Sequence, residues 1–163
     1  MHIKQLIREN LELADLTTTM LLDGVSDQDM LVRSVPGANT VAWMFGHLVV
    51  SENQMGNLIK ADGMPPLPAG MAEQYDPKNA ASEAKTGWRS KDELFKLMKE
   101  QRAGTLRLLD AASDADLASP CPDFLKQIIK TQAGIFELIA AHWQNHTGQF
   151  SVLRRKLGKP IAF

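Results

Sequence analysis

Apolar residues recur at three- and four-residue spacings along most of this chain, and they show no strand-like alternation of useful length. Ile3, Leu6, Ile7, Leu13, Ala14 and Leu21 form one such stripe and predict a first helix over residues 2–23, with Gly24 as its stop. Val41, Met44, Phe45, Leu48, Met55 and Leu58 predict a second from Thr40 to Lys60, with Asn39 or Thr40 as N-cap. The third opens on the capping-box sequence Ser90-Lys91-Asp92-Glu93 and carries Leu94, Leu97, Met98, Leu108 and Leu109 to about Ala112. A fourth begins between Leu125 and Thr131 and runs to Leu157, where Gly158 and Pro160 end it. Its stripe is Ile135, Leu138, Ile139, Phe150, Leu153 and Leu157.

The connections constrain how these helices assemble. Residues 24–39 form the first, with Pro36-Gly37 as a breaker. The second, about residues 62–89, holds four of the eight prolines and reads as irregular chain with short helical turns embedded. A connection of that length is unusual in a compact bundle. It is long enough to travel the length of a helix, so the second and third helices can lie parallel with the loop as a crossover. The expected fold is all-α, a four-helix bundle in one domain over residues 1–163.

Composition narrows the function classes. At 163 residues, 44% hydrophobic and 23% charged, the chain suits one globular domain with its own core. A net charge of −1 leaves no electrostatic footprint for nucleic acid. No apolar run is long enough to span a membrane, and the charged N-terminal stretch has no apolar leader pattern. Cys121, in the turn sequence Ser119-Pro120-Cys121-Pro122, is the single cysteine, so no internal disulfide forms; a reducing, cytoplasmic location is expected. The basic run Arg154, Arg155, Lys156 and Lys159 is expected to offset a helix dipole on a solvated face.

The candidate chemistry lies in the histidines. His2, in the first turn, is set aside. His142 and His146 are four apart on the fourth helix, which puts both rings on one face a turn apart. They fill a gap in that helix's apolar stripe and should point into the bundle. His47, between Met44 and Leu48, should face inward on the second helix or sit at the edge of its stripe. Three inward imidazoles without partners would each cost about 1–3 kcal/mol, and one shared ion satisfies all three. A His-x-x-x-His pair alone is a weak signal, since buried histidines are usually bonded to a hydroxyl or carbonyl; a third histidine from another helix strengthens it. Three nitrogen ligands leave positions open for water or substrate, unlike a closed structural zinc site. Zinc, nickel and iron(II) all suit such a set.

Polar residues on the same stripes extend the reading. Asn10, Thr17, Ser51, Gln101, Thr105 and Gln149 each read singly as an edge position or as bonded to a backbone carbonyl, but their joint presence suggests a polar-lined cavity at the metal, with Ser51 and Gln149 as the best candidates for pocket or ligand-supporting roles. Glu52 and Glu137 lie five residues from a histidine, about 140° round the helix, so neither shares the metal face and Glu52 reads as structural. With no general base in view, the ion must do most of the chemistry, by lowering the pKa of water or of a thiol. Trp43, Met44 and Trp143 read as packing residues. The loop 62–79, with Met64, Leu67 and Met71, is a candidate cover for the pocket mouth.

Two stretches carry a resemblance. Trp43-Met-Phe-Gly-His47-Leu-Val-Val-Ser-Glu52 and His142-Trp-Gln-Asn-His146-Thr-Gly148-Gln149, followed by Leu153-Arg154-Arg155-Lys-Leu-Gly158-Lys-Pro160, resemble the DinB-like superfamily of small metal-binding helical bundles. The likeness covers nearly the whole chain, and its motifs are specific in combination. It implies up-down-down-up helix order, a homodimer, and zinc or nickel on His47, His142 and His146. It also implies a small-molecule substrate and a low-molecular-weight thiol as co-substrate, as in the bacillithiol and mycothiol enzymes; nothing in the sequence suggests contact with DNA. The functions in contention are a metal-dependent thiol transferase or hydrolase, a metal- or ligand-binding bundle without turnover, and a structural or interaction domain.

Overall fold

In a computed structural model, which describes residues 3–84 and 86–162, four long helices account for most of the chain. They are α1 (Ile3–Leu22), α3 (Val41–Ile59), α5 (Lys91–Ala111) and α7 (Gln132–Lys156); single turns α2 (Asp27–Met30), α4 (Met71–Gln74) and α6 (Asp114–Ala118) lie between them. His2 lies outside the described residues. The described residues form no strand beyond two isolated bridges, and no helix among them is long and apolar enough to cross a membrane.

Helix ends follow local chemistry. The Thr40 hydroxyl accepts from the Trp43 N–H at the start of α3, and the Thr131 hydroxyl accepts from the Gly134 N–H at the start of α7. Gly24 and Gly158, just past α1 and α7, take left-handed φ values of 65°, where a side chain would be strained. At α5 only half of the expected capping box forms, with Ser90 Oγ accepting from the Glu93 N–H. Complete boxes occur instead at Ser26/Asp29 and Ser113/Asp116, on two short turns.

Pairwise contacts give the helix directions. Asn10 bonds Glu137 near the starts of α1 and α7, and Arg154 bonds the Leu21 carbonyl near their ends, so these two helices run parallel. Phe45 packs on Phe95, and a turn or two later Glu52 meets Arg102, so α3 and α5 also run parallel. Arg8 meets Asp110, and Lys91 bonds the Val25 carbonyl just beyond α1, which makes α1 and α5 antiparallel. The order is therefore up-down-down-up, as the long second connection predicted.

That connection straps the α3–α5 face. Met64 seats its thioether against Gly56 of α3 and Gly104 of α5, where a β-carbon would come within 2.3 Å and 3.2 Å of the sulfur. Further along, the Tyr75 ring lies over Gly46, whose β-carbon would sit 2.1 Å from it. The loop is packed covering, with Met64, Met71 and Tyr75 buried.

Some expected stripe positions are not buried. On α1 the buried residues are Ile7, Leu11, Ala14, Thr18, Leu21 and Leu22. Ile3, Leu6 and Leu13 are 51%, 41% and 47% exposed, because α1 carries a second apolar stripe that faces outward. Leu58 is likewise exposed on α3. On α7 the expected Ile135, Ile139, Phe150 and Leu153 are buried, and the buried arc widens to include Phe136, Ala140, Trp143 and Thr147, because that helix packs on α1 and α3 at once. Arg154 is also buried and does not share the solvated face expected of its basic run. Its guanidinium donates to the carbonyls of Leu21, Asp23 and Pro160, tying the end of α7 to the end of α1. Cys121 is buried with Sγ on the Ile129 carbonyl.

Candidate metal centre

The antiparallel contact of α3 and α7 brings the three histidines together. His47 comes from the middle of α3, and His142 and His146 from successive turns of α7. Ring centroids lie 5.2 Å apart for His47 and His142, 5.8 Å for His47 and His146, and 4.9 Å for His142 and His146. One ring nitrogen from each falls within 4.8 Å of the others. All three rings are half-buried. They sit at the edge of the bundle, one of the two placements expected for His47 but a correction for His142 and His146, which were expected to point inward: on α7 the inward position between them belongs to Trp143.

His47 is fixed from both sides. Its ring stacks on Trp43 at 4.6 Å with the planes 12° apart. The indole Nε1 is buried without an acceptor, so stacking rather than hydrogen bonding holds that ring. His47 Nδ1 lies 3.4 Å from the Tyr75 carbonyl oxygen. A carbonyl only accepts, so Nδ1 carries the proton and the Nε2 lone pair is left for a ligand. Ser51 Oγ stands 3.4 Å from that Nε2. On α7 the Gln149 amide lies 3.3 Å from His146 Nδ1. An amide serves either tautomer, since its nitrogen donates to a bare Nδ1 and its oxygen accepts from a protonated one.

Burial makes these imidazoles poor bases. His142 is lowered to about 4, first by burial and then by the charges of His146 and His47. His146 is lowered to about 4 by burial and by His47. Burial lowers His47 too, against the opposing pull of the Tyr75 carbonyl. All three are neutral at pH 7, the state a metal ligand requires.

Beside the rings an open groove of about 540 Å³ follows the helix pair. Ser51, Gln54 and Met55 of α3 line it from one side, and Leu138, Ala141 and Asn145 of α7 from the other, with His47 and His142 at its head. No part of the loop 62–79 lines it, so the expected cover is not one; that loop reaches the site only through the Tyr75 carbonyl. The expected polar cavity is also smaller. Asn10 is bonded to Glu137, Thr17 to backbone carbonyls, Gln101 to the Asn53 amide and the Pro65 carbonyl, and Thr105 to Glu52 in a separate buried cluster. Of the polar residues expected around the rings, Ser51 lines the groove and Gln149 touches His146.

Three members of that separate cluster, Glu52, Thr105 and Trp143, stood out in the sequence, but their partnership did not. Glu52 is fully buried, and its carboxylate accepts from Arg102 Nε at 2.9 Å, Arg102 Nη2 at 3.0 Å, Thr105 Oγ1 at 2.7 Å and Trp143 Nε1 at 2.8 Å. Arg102 Nη1 also donates to the Leu11 carbonyl at 2.6 Å. Glu52 is thus structural, as its angle from His47 implied, and its place is taken up entirely by these bonds. Asp15 lies 3.3 Å from the same guanidinium; burial first, opposed by Arg102, raises its pKa to about 6.

A bundle in this order with three imidazoles across an antiparallel helix pair defines a class of four-helix proteins with an open nitrogen site. The chain belongs to the DinB superfamily, whose family profile matches residues 10–150. Two solved structures share the fold. A conserved protein from Enterococcus faecalis aligns at TM-score 0.72 and 16% identity, covering 98% of this chain and 99% of that one. YfiT from Bacillus subtilis, described as a probable metal-dependent hydrolase with an unusual four-helix bundle topology, aligns at TM-score 0.67 and 18% identity, covering 96% and 89%. No curated protein matches the sequence.

Proposed function

We propose that this chain is a metal-dependent hydrolase acting on a small molecule, with His47, His142 and His146 holding one divalent ion. The observation that carries the reading is the set of three neutral imidazole nitrogens within 4.8 Å of one another. Zinc and nickel both suit such donors. A bound ion supplies Lewis acidity, which polarises an electrophile and makes water more acidic.

The chain's own groups set the rest. The Tyr75 carbonyl and the Trp43 ring hold His47 in one tautomer and one plane. Gln149 supports His146 through its Nδ1 in either tautomer. Three nitrogen ligands would leave coordination positions for water or substrate, and the groove beside His47 and His142 offers Ser51 as a neutral hydrogen-bond partner for a substrate. The hydrolase reading draws support from what is said of YfiT. Thiol transfer has less support here, since the groove residues include no cation for the carboxylates of an acidic thiol.

The test is metal content by emission spectroscopy with ester hydrolysis measured in parallel. Wild type is expected to bind about one zinc per chain and to lose hydrolysis on chelation. His142→Ala should lose both. Equal zinc content in wild type and variant would overturn the ligand assignment, and zinc-independent hydrolysis would overturn the mechanism.

A further inference from the structure

The groove beside the imidazoles has a direction. On one side of His47 the site is closed by the stacked Trp43 ring and the Tyr75 strap. On the other it runs along α3 toward Met55 and along α7 toward Leu138. Leu138 is four residues, about 6 Å, from His142, and Met55 is eight residues, about 12 Å, from His47. The floor beyond the rings is apolar, from Met55, Leu138 and Ala141. Its remaining lining, Ser51, Gln54 and Asn145, is polar but uncharged.

We infer that this groove takes an uncharged substrate whose reacting end reaches the three imidazoles and whose apolar arm, several carbons long, lies on Met55, Leu138 and Ala141. The reacting end rests on the metal reading above; the arm rests on the groove alone. Two physical points carry it. An apolar wall with a few neutral hydrogen-bonding groups favours an arm that leaves water and satisfies one or two polar atoms. A carboxylate or phosphate laid in the same place would lose hydration with no lysine or arginine in the lining to replace it. Preference for an apolar arm is thereby built into the α3–α7 pair, and Ala141, exposed and small, is the position where a charge would change it.

The experiment titrates the zinc-loaded full chain with acetyl, hexanoyl and octanoyl hydroxamates, and with a hexanoyl hydroxamate carrying a terminal carboxylate. Affinity is expected to rise about two- to fourfold per methylene until the arm passes Leu138. The terminal carboxylate should remove that gain. In Ala141→Lys the order should reverse, with the carboxylate-tipped probe binding more tightly and the zinc content unchanged. Zinc content is measured separately. A chain that takes up no zinc refutes the metal reading alone, and the groove is then titrated metal-free with n-alkyl amides of the same lengths, where the same rise is expected. An affinity that ignores arm length, or a wild-type preference for the charged probe, overturns the inference.

Discussion

Two polar clusters share α3 and α7 and behave in opposite ways. The Glu52 cluster lies in the core: four donors converge on one carboxylate, and its own arginine reaches the Leu11 carbonyl as well. The histidine cluster lies one helix face away, half-buried, and the hydrogen-bond partners of its rings among the described residues are neutral, the Tyr75 carbonyl, Ser51 and Gln149. Glu52 is only five residues from His47, and Trp143 is next to His142. The sharing has a consequence. The Trp143–Glu52 bond holds α7 against α3 in one register, and that register sets the spacing of the three rings. A satisfied cluster fixes the frame, and an unsatisfied one is what the frame presents.

Breaking the inner cluster should have the largest effect. Arg102→Met leaves Glu52 buried without its cation and is expected to lower stability by about 3–5 kcal/mol, read from denaturant midpoints. Replacing Glu52 and Arg102 together by leucine and methionine should recover much of that loss. If the single variant is as stable as wild type, the cluster does not hold the frame.

The strap gives the next effect. In Gly46→Ala the added methyl meets the Tyr75 ring, and overpacking of this kind costs about 1–3 kcal/mol. Because Tyr75 also holds His47, zinc affinity should fall with stability, by about 10–100-fold as for loss of a group that supports a ligand. Unchanged affinity in a destabilised variant would separate the strap from the site.

Asp15 sharpens the comparison more gently. Its folded pKa of about 6 stands above the ordinary 3.8, so the folded protein binds the extra proton between those values. The charged form is thus a burden at pH 7 that is relieved as pH falls through 6. Asp15→Asn should stabilise the chain by about 1–2 kcal/mol at pH 7.5, with the gain fading by pH 4.

The histidines carry the opposite sign. Their folded pKa values lie below 6.5, so the unfolded chain binds more protons there. Their contribution to the metal-free protein is present above pH 6.5 and is lost as pH falls toward 4. Thermal melts of wild type against His142→Ala, both metal-free, should diverge above pH 6 and converge near pH 4. Parallel curves would contradict the burial of these rings.

How much of this was legible in the sequence depended on distance along the chain. The Thr40 cap, the Gly24 and Gly158 stops and the four-residue spacing of His142 and His146 are local, and each sits where its chemistry required. The parallel placement of α3 and α5 followed from the length of one connection. Faces were harder. One helical position turns the wheel by about 100°, so the stripe of the last helix found Ile135, Ile139, Phe150 and Leu153 but set the histidines in its gap, where Trp143 is the residue that turns inward. On α1, Leu11 and Leu13 are both leucines, and only packing on α7 and α5 decides that the first is buried. The partners of Glu52 were beyond reach, because Arg102 and Trp143 lie 50 and 91 residues away and nothing near them announces a charge bound for the core. Arg154 misled for the same reason: its carbonyl partners on α1 are more than a hundred residues upstream.

The parallel run of α1 and α7 reaches beyond the site. In a bundle whose helices alternate in direction, the first and last helices bring their outer ends to the same pole. Here the start of α1 and the end of α7 lie at opposite poles, on the order of 30 Å apart for helices of this length. Joining them into a circular permutant would take a linker of roughly ten extended residues. Fused end to end, copies of this domain would therefore string out in a line, with each groove opening across the string.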